Sequence, residues 1–89
     1  MLREEISDTI KKLVLEQLGI HESLYAEDIS FEEMGADSLD SLELAMYFEE
    51  EFSMQFPDED FKKLINPGRV VQYVVDKTEN IKKEAIGIV

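Results

Sequence analysis

The sequence predicts an all-α fold, an antiparallel four-helix bundle of three longer helices and one short one, with a long loop between helices I and II. Three observations carry that expectation. Apolar residues recur at a 3.6-residue period in separate stretches, those stretches are bounded by helix start and stop signals, and the remaining connections are short.

Leu2, Ile6, Ile10, Leu13 and Val14 fall on one side of a helical period, and Gly19 follows Leu18 where a left-handed terminus closes a helix, so helix I spans about residues 2–18. From Ile20 to Ala36 the period fails. Glu22, Asp28, Ser30 and Gly35 interrupt it, while Leu24, Ile29, Phe31 and Met34 are expected to anchor an ordered loop whose unusual length marks it as a functional candidate. Asp37 has N-cap character and Asp40 sits in the first turn of helix II, a dense helical run over Ser38–Phe52. Pro57-Asp58-Glu59-Asp60 starts a short third helix carrying Phe61, Leu64 and Ile65, its acids placed at the positive end of the dipole. Asn66-Pro67-Gly68 supplies an N-cap and then Pro at the first helical position, opening helix IV with Val70, Val71 and Val74 on one side. Residues 1–78 are expected to form the domain, and residues 79–89 a tail that either frays or lengthens helix IV.

Size and composition restrict what such a bundle does. With 89 residues the chain forms one core but no deep enclosed catalytic cavity, which disfavours a self-contained enzyme. The absence of Cys excludes a disulfide framework, an iron–sulfur cluster and a thiolate zinc site. No apolar leader and no run of ~18 apolar residues is present, so neither export nor membrane insertion is indicated and the expected location is the cytoplasm. The net charge of −12 is unevenly spread: between Leu13 and Phe61 there are fifteen acids and no Lys or Arg. That field repels nucleic-acid phosphate and anionic membrane and speeds encounter with basic protein surfaces. A solubilising acidic surface is the plain alternative.

Helix II carries two apolar stripes. Leu44, Ala45, Phe48 and Phe52 cluster on one side, and Leu39, Leu42 and Met46 lie nearly opposite, flanked by Glu43, Glu49 and Glu50. One stripe is available for the core. The other is expected to remain partly exposed as a docking surface that joins apolar contact to charge steering, unless bundle and loop bury both. An exposed Met46 would adapt its shape to several partners.

Catalytic constellations are missing. The only His is His21, expected in an exposed loop, and the residues around Ser38 do not form G-x-S-x-G. Asp58 and Asp60 begin an EF-hand count, but Lys62, Lys63 and Arg69 fall where ligands and the obligatory Gly belong, so no metal site is expected. Ser38 itself stands in the first turn of helix II behind a Gly-bearing loop, where a phosphate on its hydroxyl would meet unpaired backbone N–H groups; a plain capping role is the alternative.

The run Gly35-Ala36-Asp37-Ser38-Leu39-Asp40-Ser41-Leu42-Glu43-Leu44, continuing to Glu49-Glu50-Glu51-Phe52, closely resembles the phosphopantetheine attachment segment of acyl carrier proteins. The likeness extends through Pro57–Asp60 to Val70–Val74, and more loosely to Glu16-Gln17-Leu18-Gly19, covering roughly residues 3–75. It implies that Ser38 carries 4'-phosphopantetheine as a phosphodiester made by a separate phosphopantetheinyl transferase, and that acyl groups ride on the arm's thiol as thioesters. It further implies a non-enzymatic carrier whose helix II is the recognition helix. Gly35, Asp37, Leu39 and Asp40 would flank the attachment point, and Leu39, Leu42, Glu43, Met46, Glu49 and Glu50 would meet basic, apolar-centred patches on acyl-transferring enzymes. An acyl chain folding back would be lined by Leu44, Phe48, Ile65 and Val71.

Tyr47, Phe48 and Phe61 are bulkier than is usual in general fatty-acid carriers, and Asn66-Pro67-Gly68 and the tail to Val89 are atypical. These departures point to a specialised stand-alone carrier for a dedicated lipid or polyketide-type pathway, and a monomer is expected. An acidic adaptor that docks basic partners without carrying an acyl group, and a small oligomerisation bundle, are the readings from other classes.

Overall fold

In the computed structural model the backbone is described for residues 2–88 and the side chains for residues 2–78. The helices are α1 (Arg3–Leu18), α2 (Ser38–Phe52), α3 (Asp58–Phe61) and α4 (Pro67–Ile88), and no strand occurs among the described residues. The expected all-α bundle is therefore the fold. The helical backbone of α4 continues to Ile88, but the side chains of the expected tail lie outside the described residues.

α1 ends as its sequence dictates: Gly19 takes φ 61°, and its N–H donates to the Leu15 carbonyl at 2.9 Å. Ile6, Ile10 and Val14 are buried on one face. Leu2, expected on that stripe, is exposed because it precedes the first helical residue, and its N–H donates to the Glu5 carboxylate at 3.3 Å. α1 packs against α2 and α4. Gln17, at the end of α1, donates to Asp40 at 3.4 Å and to Glu43, both in the first turns of α2, so α1 and α2 run antiparallel.

The core joins the α1 stripe to Leu44 and Phe48 of α2 and Val70, Val71 and Val74 of α4, with Phe31 and Met34 contributed by the long loop. Each fully buried side chain of this kind contributes roughly 1.5–3 kcal/mol before conformational entropy is counted, so Phe31 and Met34 offset only part of the cost of ordering the loop, and its polar ties must supply the rest. Aromatic rings close the end near α3: Phe56 lies 6.0 Å from Phe48, 6.1 Å from Phe61 and 5.1 Å from Tyr73 between centroids. The Tyr73 hydroxyl donates to Asp60 at 2.9 Å, and burial with this bond to a carboxylate pushes the phenol up to about 12.

The loop is built rather than slack. It contains a 3₁₀ turn, Glu22–Leu24, which the periodicity did not foretell and which His21 caps through a Ser23 N–H to Nδ1 bond of 3.0 Å. This turn leaves Leu24 exposed, contrary to its expected anchoring role, whereas Ile29 packs partly against the core. Glu27 ties three elements together. Its carboxylate accepts from the Ser7 hydroxyl at 2.6 Å and the Arg3 guanidinium at 3.1 Å, and its carbonyl accepts the Gly68 N–H at 2.9 Å. The Ser7 bond first, then Arg3, hold this carboxyl below its ordinary range against the opposing effect of burial. A second backbone bond, Phe31 N–H to Ile65 carbonyl at 2.9 Å, pins the loop to the α3–α4 junction.

α3 is shorter than expected, ending at Phe61, so Leu64 and Ile65 follow it in the junction; Leu64 is buried and Ile65 exposed. Asn66 caps α4 by accepting the Arg69 N–H at 2.9 Å, with Pro67 at the first helical position as its chemistry predicts.

Candidate functional site

The site is a loop-to-helix corner. Residues 31–35 make a single turn in which the N–H groups of Met34, Gly35 and Ala36 bond carbonyls of Ser30, Phe31 and Glu32 at 2.9–3.1 Å. The Ser30 hydroxyl accepts the Glu33 N–H at 3.0 Å and so caps this turn. Gly35 ends it at φ 100°, which reverses the chain toward Asp37. Asp37 and Asp40 then form a reciprocal cap: the Asp37 carboxylate accepts the Asp40 N–H at 2.9 Å, and the Asp40 carboxylate accepts the Asp37 N–H at 3.1 Å. Both acids expected beside the attachment point are thus engaged in starting the helix.

Ser38 is the first residue of α2 and is exposed. With Glu32, Ala36, Asp37 and Ser41 it lines an open cavity of about 430 Å³. The surroundings fit a phosphate ester: the hydroxyl is accessible, space lies beside it, and the positive end of a 15-residue helix lies beneath it. The Asp37 and Asp40 carboxylates direct part of their charge into backbone bonds.

Leu39, Leu42 and Met46 are 62%, 60% and 65% exposed, so the second stripe of α2 faces solvent and is not covered by the loop. Glu50 is exposed beside it. Glu43 and Glu49 are half-buried and partly committed: Glu43 accepts from Gln17, and Glu49 accepts the Phe56 N–H at 2.9 Å.

Of the four residues expected to line a chain pocket, three meet in the core and the fourth, Ile65, stands apart at the surface. Leu44 and Phe48 of α2 and Val71 of α4 are fully buried together in the core shared with α1. Ile65, by contrast, lies with Ser30, Phe31, Ser41, Phe61 and Leu64 along a groove of about 510 Å³. Sequence reasoning missed Ser41, although it stands one turn beyond Ser38 and links the cavity there to this groove. It also missed Phe56, whose place in an aperiodic segment gave no signal.

Among the described residues no helix is long and apolar enough to cross a membrane. The family model described as "Phosphopantetheine attachment site" matches residues 8–74, a stretch that runs from the first half of α1 to the last buried valine of α4 and contains the whole corner around Ser38. The chain belongs to that family and is a carrier domain for covalently attached 4'-phosphopantetheine.

Proposed function

We propose that Ser38 is the attachment residue and that the protein carries acyl groups between cytoplasmic enzymes of fatty-acid, lipid or polyketide-type synthesis. The single observation that carries this reading is the placement of an exposed Ser38 at the head of α2, inside the matched segment and beside an open cavity. The phosphopantetheine arm supplies a terminal thiol, which a chain without cysteine lacks.

The residues of the chain divide the remaining work. The Asp37–Asp40 cap holds the first turn rigid, which fixes the direction in which Ser38 presents its hydroxyl. Activation of that hydroxyl is the work of the transferase: the one His, His21, sits in the 3₁₀ turn with Nδ1 accepting the Ser23 N–H. Leu39, Leu42 and Met46 offer such an enzyme a central apolar contact, and Glu50 and the uncommitted charge of Glu43 and Glu49 steer basic patches toward it. A contact of this kind gives fast association without long residence, as sequential hand-over between enzymes requires.

The test is intact mass after incubation with coenzyme A, magnesium and a broad-specificity phosphopantetheinyl transferase, for wild type and Ser38→Ala. One added phosphopantetheinyl group on the wild type alone is expected. A gain that persists in Ser38→Ala would reject Ser38, and no gain from folded protein with either this enzyme or the host's transferase would favour the adaptor reading.

A further inference from the structure

Tyr47 lies outside the apolar stripe that the proposed docking uses. It stands on the side of α2 facing α1, is 43% exposed, and lines with Leu13, Glu16 and Gln17 a cavity of about 310 Å³ between the two helices. The chain has three tyrosines, and two of them hold a lysine over the ring: Lys11 Nζ is 5.8 Å from the Tyr25 centroid, and Lys77 Nζ is 5.3 Å from that of Tyr73. Among the described residues no cation stands over Tyr47, and residues 13–61 contain no Lys or Arg.

The polar groups around the ring complete the picture. The Gln17 amide is already committed to Asp40 and Glu43. The ion pairs among the described residues, Arg3–Glu27 and Lys11–Glu22, leave Glu16 out although Lys12 lies one turn away. The notch therefore brings together a partly exposed tyrosine ring, an exposed carboxylate and the half-buried side chain of Leu13 within the most acidic part of the chain.

A planar cation uses all three at once. A guanidinium stacks on a tyrosine ring, forks onto a carboxylate and lays its methylenes along an apolar side chain, which a compact ammonium does less well. We infer that the α1–α2 notch receives an arginine side chain of an enzyme that docks on α2, so that the docking surface continues from the outer stripe of α2 round onto α1. The existence of that enzyme rests on the carrier reading; the chemistry of the notch does not.

The test uses the full chain, as wild type and as Ser38→Ala, observed by NMR while a blocked Gly-Arg-Gly tripeptide or its Gly-Gln-Gly counterpart is added. Saturable shifts of the Tyr47 ring signals are expected with the arginine peptide and not with the glutamine one, the Tyr25 and Tyr73 rings serving as internal controls. Followed at the amides of residues 13–17, Tyr47→Leu should weaken arginine binding about two- to fivefold, the fold-change of an exposed cation–π contact. Tyr47→Phe should retain the binding, and Glu16→Gln should reduce it. Equal shifts with both peptides, or undiminished arginine binding in Tyr47→Leu, overturn the assignment. Binding in Ser38→Ala that persists while wild type takes up no phosphopantetheine from either transferase would leave the notch standing and count against acyl carriage on Ser38, so the two failures are distinguishable.

Discussion

Gly35 and Gly68 are required for different physical reasons. At Gly35 the backbone takes φ 100°, and an added Cβ would meet nothing within 4 Å, so a substitution is strained by conformation alone. At Gly68 an added Cβ would lie 3.0 Å from the Glu27 carbonyl oxygen and 3.3 Å from its Cβ, so the obstacle is contact. Gly35→Ala is expected to cost about 1–2 kcal/mol of unfolding free energy, with part of it recovered by Asn, which tolerates positive φ. Gly68→Ala is expected to cost about 1–3 kcal/mol, with no recovery from the larger Asn. Denaturant titration of the four variants checks both; equal behaviour of Asn at the two sites would contradict the distinction. Single residues were legible where side-chain chemistry acts locally, as in the caps at Asp37 and Asn66. Phe56 was illegible because its burial comes from ring partners on three other segments, which no local pattern encodes.

Among the elements, α2 matched its expected bounds because capping chemistry and apolar period coincide at Ser38 and end together near Phe52. α3 was over-extended because Leu64 and Ile65 continue an apolar pattern, while the backbone bond from Phe31 to the Ile65 carbonyl holds that stretch out of the helix. The two stripes of α2 differ in what they do for stability. Leu44→Ala removes a fully buried side chain and is expected to cost about 2–5 kcal/mol. Met46→Glu changes an exposed position and should move stability by less than about 0.5 kcal/mol. In the carrier reading Met46→Glu should nevertheless raise the transferase KM, since it replaces the apolar contact by a charge. A large loss of stability in Met46→Glu, or an unchanged KM, would show that this stripe does not dock.

For the whole molecule, charge is the property most directly read from sequence, since fifteen acids between Leu13 and Phe61 carry no cation among them and folding crowds them together. Added salt shortens the Debye length from ~30 Å at 0.01 M to ~10 Å at 0.1 M, which screens that repulsion. The melting temperature is therefore expected to rise over this range, and divalent cations should raise it further. A flat or falling dependence would mean that favourable pairs such as Arg3–Glu27 outweigh the repulsion. The packing of helices followed from the periodic stripes, but the course of the long loop did not. Its path depends on Glu27, whose three partners are 20 or more positions away in the chain.

The two backbone bonds from that loop to the start of α4 also set how the corner moves. Residues 27 and 31 are fastened to residues 68 and 65, so the loop acts as a splint across the open end of the bundle. A fluctuation that lifts the loop as a whole breaks its bonds to residues 65 and 68, so the loop and the head of α4 are coupled through them. The serine is thus presented from a platform whose rigidity is borrowed from a helix that takes no part in the corner itself.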